Sequence, residues 1–478
     1  MNLRTVFRLV GRLLLLLAAA HLVPVICALL TGEPRSLALF ALSATLTAVV
    51  GAALSRLPAS DEPIYRREGV LFVVLGWLVA SIVGAVPLLL DGSISAPVDA
   101  LFESASGFTT TGASILVDIE ALPRSVLLWR SFTQWLGGLG IIVLLVALLA
   151  ELGPGTRFLY RVEVPGPTTE FLRPRVRETA AALLRLYLAL TGAMVAAMLA
   201  TGVGLYDAVA HTFTTLSTGG FSPYNASAAA FAPGTQVVIL VFMVIAGMNF
   251  SLLHEGLRGR ANVWRNRELT VYVAILLLAI GLVLAYVPPS PGGDGIRLLD
   301  ASFQVVSLMT STGFASRDFD QWPSGAKAVL VILMLIGGSA GSTAGGIKVM
   351  RILVGFKSAM REARLLYSPN LVLPITLRGQ VVPDNVVQSV TGFLVLFLMT
   401  LFFGTLLLAL GGADLITAFT AALACLSNIG PGLGEVGPTA NFSAFAAWEK
   451  LLLVLLMLLG RLEMLAIAAL ITRPFWRS

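Results

Sequence analysis

Gly107-Phe108-Thr109-Thr110-Thr111-Gly112-Ala113-Ser114 is a short polar turn set between apolar segments. Three other stretches resemble it: Ser217-Thr218-Gly219-Gly220-Phe221-Ser222, Ser311-Thr312-Gly313-Phe314-Ala315-Ser316, and a worn fourth copy, Asn428-Ile429-Gly430-Pro431-Gly432. The glycines taken as equivalent, Gly112, Gly219, Gly313 and Gly430, recur about every hundred residues, the mark of an internal repeat. One Thr-Thr-Gly turn is ordinary loop chemistry. Four in one frame call for a common explanation.

The frame is apolar. The 478 residues are 57% hydrophobic and 12% charged, with a mean hydropathy of +0.89. Soluble domains carry about 25% charged residues, so the chain reads as an all-α polytopic membrane protein. The net charge of +6 is spread in short clusters between apolar runs, which suits orientation in a lipid bilayer and gives no reason to expect nucleic acid. Cys27 and Cys425 lie in apolar surroundings and read as buried free thiols. Arg4, Arg8 and Arg12 before Leu13–Ala20 imitate a signal peptide, but the apolar run continues to Leu30 and reads as a retained span.

Two spans, near 9–30 and 37–55, precede the repeats and make up region 1–60. Each repeat then reads as long helix, half-length helix, polar turn, long helix, over 61–157, 158–262, 263–366 and 367–478. The half-length helices are expected at Pro97–Phe108, Tyr206–Leu216, Leu299–Thr310 and Asp414–Leu426. The second long helices are expected near 126–152, 235–254, 326–358 and 446–471. That makes ten crossings and four re-entrant half-helices. A polar turn at membrane depth is tolerated only where protein encloses it or water reaches it, so four such units are expected to face one axis. Arginine and lysine concentrate in alternate connectors, which places both termini in the cytoplasm and all four turns toward the outside. The repeats are therefore parallel around an axis normal to the membrane.

The chemistry such turns serve is cation dehydration. A ring of backbone carbonyls replaces the water shell of an alkali cation, glycine permits the backbone conformations this needs, and the C-terminal end of each half-helix adds partial negative charge. The candidate ion-binding residues are Thr110, Thr111, Gly112, Ser217, Thr218, Gly219, Ser311, Thr312, Gly313, Asn428, Ile429 and Gly430.

At these residues the chain resembles the Trk/Ktr/HKT superfamily of potassium transporters, in its bacterial Trk branch. The resemblance covers nearly the whole chain. It rests on Glu103–Ser114, Thr133-Gln134-Trp135-Leu136-Gly137-Gly138-Leu139-Gly140, Ser217–Ser222, Gly337–Lys348, Ser427–Gly432 and Gly460-Arg461-Leu462-Glu463. It implies a four-fold pseudosymmetric pore selective for potassium, with rubidium as a stand-in, in the bacterial inner membrane. It also implies a homodimer and a cytosolic regulatory subunit of the TrkA kind. The fourth turn departs from the Thr-Gly pattern with Asn428-Ile429.

Two features read as a gate. Gly337, Gly338, Ser339, Gly341, Ser342, Thr343, Gly345 and Gly346 interrupt the second long helix of the third repeat, ahead of Lys348. Glycine costs about 1 kcal/mol in a helix interior, so this stretch is expected to be a loop beneath the turns rather than regular helix. Close packing through small residues is the alternative. Arg461 lies within the last apolar span, where an arginine costs about 2.5–3.5 kcal/mol. It reads either as an electrostatic barrier in the pore or as a partner of Glu463.

The remaining candidates are plainer. His254-Glu255 lacks the second histidine of a zinc protease helix, His211 reads as a packing or capping residue, and Glu103 as a brace behind the first turn. No phosphate-binding Gly-x-x-x-x-Gly-Lys-[Ser/Thr] loop is present, so no bound cofactor is expected and any nucleotide control must come through another chain. Potassium enters as substrate only. A sodium-permeable or ion-coupled symporter is the alternative function, and a membrane enzyme a weaker one.

Overall fold

The protein is built almost entirely of helices, as seen in a computed structural model that describes residues 2–58, 66–138, 140, 176–259, 266–289, 293–368, 373–377, 380–464, 470 and 472–476. Helices α1 (Leu3–Ala20) and α2 (Leu22–Thr31) meet at His21 and form one 29-residue apolar rod. Helix α3 (Pro34–Ser55) returns antiparallel to it. The apparent signal peptide is therefore part of the helical core, with Val6, Leu13 and Leu17 buried.

Helix α4 (Arg66–Asp91) leads to the half-length α5 (Pro97–Phe108) and then α6 (Arg124–Gly138). The same order follows in α7 (Val176–Ala200), α8 (Leu205–Leu216) and the pair α9 (Pro233–Ala246) and α10 (Phe250–Leu257). It recurs in α11 (Arg267–Tyr286), α12 (Asp294–Met309) and the pair α13 (Ser324–Ile336) and α14 (Val349–Leu365). It recurs again in α15 (Asp384–Leu410), α16 (Leu415–Leu426) and α17 (Ala447–Arg461). A two-stranded hairpin, β1 (Thr376–Leu377) against β2 (Gln380–Val381), and a last turn of helix, α18 (Arg473–Trp476), complete the described chain.

The half-length helices start where local chemistry tells them to. Pro97 opens α5 at a position where its missing N–H costs nothing. Asp414 caps α16, its carboxylate accepting from Ile416 N at 2.9 Å and Thr417 N at 3.2 Å.

The second long helices differ from expectation. Among the described residues six helices are long and apolar enough to cross a bilayer, seven if the α9–α10 pair counts as one. Two of the others fall short because a break interrupts them, and α17 because it stops at Arg461. The continuous helix expected over 235–254 bends by 99° after Ala246, where the Asn249 side chain caps a new helix through Ser251 N at 2.9 Å and Leu252 N at 3.2 Å. The one expected over 446–471 stops at Arg461, with Glu463 and Met464 both left-handed. The small-residue stretch 337–348 is a loop, as its glycines require. Gly337, Gly341, Gly346 and Lys348 all have positive φ, between 71° and 80°. Beyond Gly138 the expected 126–152 helix lies outside the described residues, as does Leu139 of the Thr133–Gly140 stretch.

Helices α1 and α3 touch through glycine. A Cβ on Gly11 would meet the backbone of Leu54 and Ser55, and one on Gly51 would lie 2.9 Å from Leu14 Cβ and 3.0 Å from the Gly11 carbonyl oxygen. Overpacking of this kind costs about 1–3 kcal/mol, so Gly51→Val is expected to lower the thermal unfolding midpoint of the detergent-solubilised protein. Gly192→Val on α7, where nothing lies within 4 Å, is the control expected to leave it unchanged.

Candidate functional site

Each half-length helix ends in the same way. Its cap residue, Thr109, Ser217, Thr310 or Ser427, is still close to helical in conformation. The next residue turns left-handed: Thr110 at φ 56°, Thr218 at 55°, Ser311 at 55° and Asn428 at 52°. The residue after that bonds back into the helix, Thr111 N to Ser106 O at 2.9 Å, Gly219 N to Thr214 O at 2.8 Å, Thr312 N to Ser307 O at 2.8 Å and Ile429 N to Ala424 O at 2.9 Å. The third position is a left-handed glycine: Gly112, Gly220, Gly313 and Gly430. Left-handed backbone at a β-branched threonine is a real outlier, costing about 1–2 kcal/mol. The same left-handed step recurs at four equivalent places, and at Thr110 and Thr218 it is strained.

This sets the register. The second turn is Thr218-Gly219-Gly220, one residue later than the sequence suggested. Ser217 is the helix cap, equivalent to Thr109, and the glycine equivalent to Gly112 is Gly220, not Gly219. Two adjacent glycines hid the offset.

The turns close on one another. A Cβ on Gly112 would fall on the carbonyl oxygen of Gly219, one on Gly220 on that of Thr312, and one on Gly313 on that of Ile429. A Cβ on Gly430 would stand 2.9 Å from the carbonyl oxygen of Thr111. Each glycine abuts the middle residue of the next turn, and the fourth returns to the first. The sequence thus brings all four turns into one ring, with Gly112, Gly220 and Gly313 half-exposed within an otherwise buried neighbourhood. Side chains stitch the ring as well. Asn428 Nδ2 donates to Thr111 Oγ1 at 2.9 Å, which joins the fourth turn to the first. The C-terminal ends of α5, α8, α12 and α16 all lead into the ring, so their partial negative charges gather there.

Behind the ring each half-length helix braces the strand leaving its turn. Glu103 accepts from Ile115 N at 3.0 Å and from the Ser114 hydroxyl, His211 Nε2 lies 3.1 Å from Ser222 Oγ, and Gln304 Nε2 donates to Ser316 Oγ at 3.2 Å. In the fourth, Thr420 Oγ1 accepts from Leu433 N at 3.0 Å. Sequence reasoning found the brace at Glu103 and missed the one at His211. The signal was there: both stand seven residues before the left-handed residue. Glu103 also holds the buried Arg130 of α6 at 2.6 Å.

Below the ring, glycines let the second helices press on the half-length ones. A Cβ on Gly137 would strike the Phe108 carbonyl oxygen, and one on Gly460 that of Leu426. The loop between α13 and α14 packs against this layer. Gly345 N donates to Ser311 Oγ at 2.6 Å, and Thr343 Oγ1 donates to the Leu216 and Ala246 carbonyls at 3.1 and 3.2 Å. Ser339 N donates to Gly247 O at 3.0 Å, Ala340 N to Glu268 Oε1 at 2.6 Å, and Gly341 O accepts from Phe250 N at 3.1 Å. Gly338 backs on Ala344, Ser342 Oγ donates to Ser339 O at 2.6 Å, and Val349 N reaches Gly338 O at 3.0 Å. Gly337 and Gly346 close the neck of the loop, and Lys348 Nζ donates to Ala344 O at 2.5 Å. Arg461 bonds the carbonyl oxygens of Thr343 at 3.2 Å, Gly138 at 3.4 Å and Gly137, so its guanidinium joins the loop to the end of α6. Glu463 is engaged by Arg351, at 2.5 Å.

The chain belongs to the TrkH family of cation transport proteins. It matches that family over residues 36–261 and 261–474. It is 37% identical to the Trk system potassium uptake protein TrkH of Escherichia coli K12 and 32% identical to TrkG of the same strain, covering 100% of this chain in both cases and 100% and 99% of the relatives. Its fold superposes on the crystal structure of the potassium transporter TrkH from Vibrio parahaemolyticus with a TM-score of 0.90, at 34% identity and full coverage of both chains. These relatives are transporters, not enzymes, and the chain is a multi-span membrane protein of their kind.

Removing one partner of a buried ion pair costs about 3–5 kcal/mol because it strands the other charge. Glu103→Ala is therefore expected to lower the unfolding midpoint sharply. Glu103→Ala combined with Arg130→Met is expected to recover part of the loss, as read by thermal unfolding of the purified protein.

Proposed function

We propose that this chain takes up potassium across a bacterial cytoplasmic membrane, through a gated pore whose selective constriction is the ring of four turns. The observation that carries the reading is the closed cycle in which each turn's glycine abuts the next turn's carbonyl. Proteins named for potassium uptake that match the chain from end to end support the choice of ion. Backbone and hydroxyl oxygens of Thr110-Thr111-Gly112, Thr218-Gly219-Gly220, Ser311-Thr312-Gly313 and Asn428-Ile429-Gly430 replace the water shell of the ion. Potassium is the substrate, and rubidium passes in its place.

In this reading each broken second helix is one crossing, which gives ten, and the four units over 61–157, 158–262, 263–366 and 367–478 surround one axis. The positive connectors lie in the cytoplasm with both termini, and the turns lie toward the outside. The loop 337–346, Lys348 and Arg461 form the gate. Arg461 opposes a cation that has left the ring, and its bonds to the Thr343, Gly137 and Gly138 carbonyls support the loop in the closed position. Control comes from a cytosolic nucleotide-binding subunit of the TrkA kind, and the membrane subunit works as a homodimer.

Expressed in cells lacking their own potassium uptake, the protein is expected to restore growth at low external potassium, and in liposomes to admit rubidium. Absence of flux under every nucleotide and partner condition refutes the pore. Gly220→Ala places a methyl group on the Thr312 carbonyl and is expected to cut rubidium uptake by about tenfold or more at equal membrane content, a loss of about 1.4 kcal/mol or more. Gly202→Ala, with φ of 87° and open space around it, carries the same backbone strain and is expected to transport normally. Arg461→Ala is expected to raise resting flux several-fold, and unchanged flux at normal expression removes Arg461 from the gate.

A further inference from the structure

Three of the four second helices turn apolar once past their first turn. Helix α9 has no polar side chain after Gln236, α13 none after Lys327, and α17 none between Lys450 and Gly460. Helix α6 differs. It carries Arg130, Ser131, Thr133 and Gln134, all buried, beyond its first turn. A buried polar side chain in a membrane helix needs a partner to offset its desolvation.

Gln134 finds its partner in the neighbouring turn. Its Nε2 donates to the Gly219 carbonyl at 2.8 Å, and its Oε1 accepts from Phe221 N at 3.0 Å. The side-chain amide therefore grips the backbone on both sides of Gly220. One turn earlier on α6, Arg130 stands over the Phe221 ring, 4.2 Å from its centroid, and is held by Glu103.

This contact explains a departure from symmetry. The middle residue of the other turns is Thr111, Thr312 or Ile429, each with a branched side chain. The second turn has Gly219. No backbone requirement asks for glycine there, because Gly219 is absent from the left-handed glycines that include Gly220. What forbids a side chain is Gln134. A Cβ on Gly219 would meet its Cδ, its Oε1 at 2.5 Å and its Nε2 at 2.8 Å. Gln134 occupies the space that a side chain on Gly219 would take.

We propose that Gln134 is a specificity-determining positioning residue, a clamp from the first unit that fixes the Gly219 carbonyl and the Gly220 peptide of the second. This rests on the reading of the ring as the ion path. An N–H aimed at the Gly219 carbonyl uses one of its two lone pairs. That carbonyl is therefore a weaker and more rigidly held cation ligand than its counterparts at Thr111, Thr312 and Ile429. Without the clamp the Gly219–Gly220 peptides, both glycine and free to rotate, lose their fixed orientation. Discrimination between potassium-sized and smaller cations then falls.

The test measures rubidium and sodium uptake into liposomes, with the unfolding midpoint of each variant recorded alongside. Gln134→Met keeps length and volume but cannot make the two bonds, and it is expected to lower the rubidium-to-sodium uptake ratio by about fivefold or more. Gly219→Thr alone is expected to abolish uptake by collision with Gln134. The double variant Gln134→Ala, Gly219→Thr makes the second turn like the first and third, and is expected to restore uptake well above that of Gly219→Thr. An unchanged ratio in Gln134→Met overturns the clamp, as does a double variant no better than Gly219→Thr. If Gln134→Met fails to insert, the rubidium-to-sodium ratio of Gln134→Leu, which also lacks both bonds, decides in its place. A wild-type protein that passes no rubidium refutes the pore itself, which is a different result from either.

Discussion

The structure depends on one local event made four times: a half-length helix ends, the next residue turns left-handed, and a glycine two residues on lies against the neighbouring turn. The left-handed residue is threonine, threonine, serine and asparagine in the four turns, not glycine. Conformational ease therefore did not choose it in the first three turns. Such a residue reverses the chain so that the middle and third peptides leave the helix end sideways. The third position must then be glycine, because it meets a carbonyl oxygen of the next turn. The two conditions together make a ring that no single unit could hold. Strain at the first residue is sustained by hydrogen bonds back into the helix and by the mutual contact of the turns.

The layers around the ring follow from this. Polar braces behind it, from Glu103, His211, Gln304 and Thr420, satisfy buried groups that would otherwise face hydrocarbon. They use a different side chain in each unit for the same task. Glycines beneath it, Gly137 and Gly460, bring second helices against the carbonyl ends of the half-length helices. Among the described residues three second helices also break. They break at Gly247, at Gly337 and after Arg461, and the longest break supplies the loop that touches the second, third and fourth units at once.

The sequence was most legible where local chemistry acts alone. Pro97, Asp414 and the polar turns mark the half-length helices to within a few residues, and the glycine-rich stretch 337–346 announces a loop because that many glycines and hydroxyls cannot hold a helix. It was least legible where the decisive partner is distant. The breaks after Ala246 and Arg461 lie between apolar runs, and only the Asn249 cap and the left-handed Glu463 and Met464 create them. The second turn was misplaced by one residue because Thr218-Gly219-Gly220 offers two glycines. The choice between them lies in contacts with Thr312 and Gln134, which are far away in the chain.

Those two glycines also separate two reasons for having no side chain. Gly220 has no room because a neighbouring backbone carbonyl is there, a constraint shared by all four turns and imposed by the ring. Gly219 has no room because Gln134 is there, a constraint imposed by one side chain on one turn. The first kind cannot be exchanged without opening the ring. The second is a matched pair, in which a polar residue on α6 and a missing side chain on the next turn imply each other. Near-symmetry of this sort lets a single chain keep a common backbone around the ring while giving each quadrant a different support. The Gln134 clamp, the Asn428–Thr111 bond and the loop's Thr343–Leu216 bond each occur at a different seam between units. In the proposed pore, conduction through the ring needs the four backbones to be alike, and control from below needs the seams to differ.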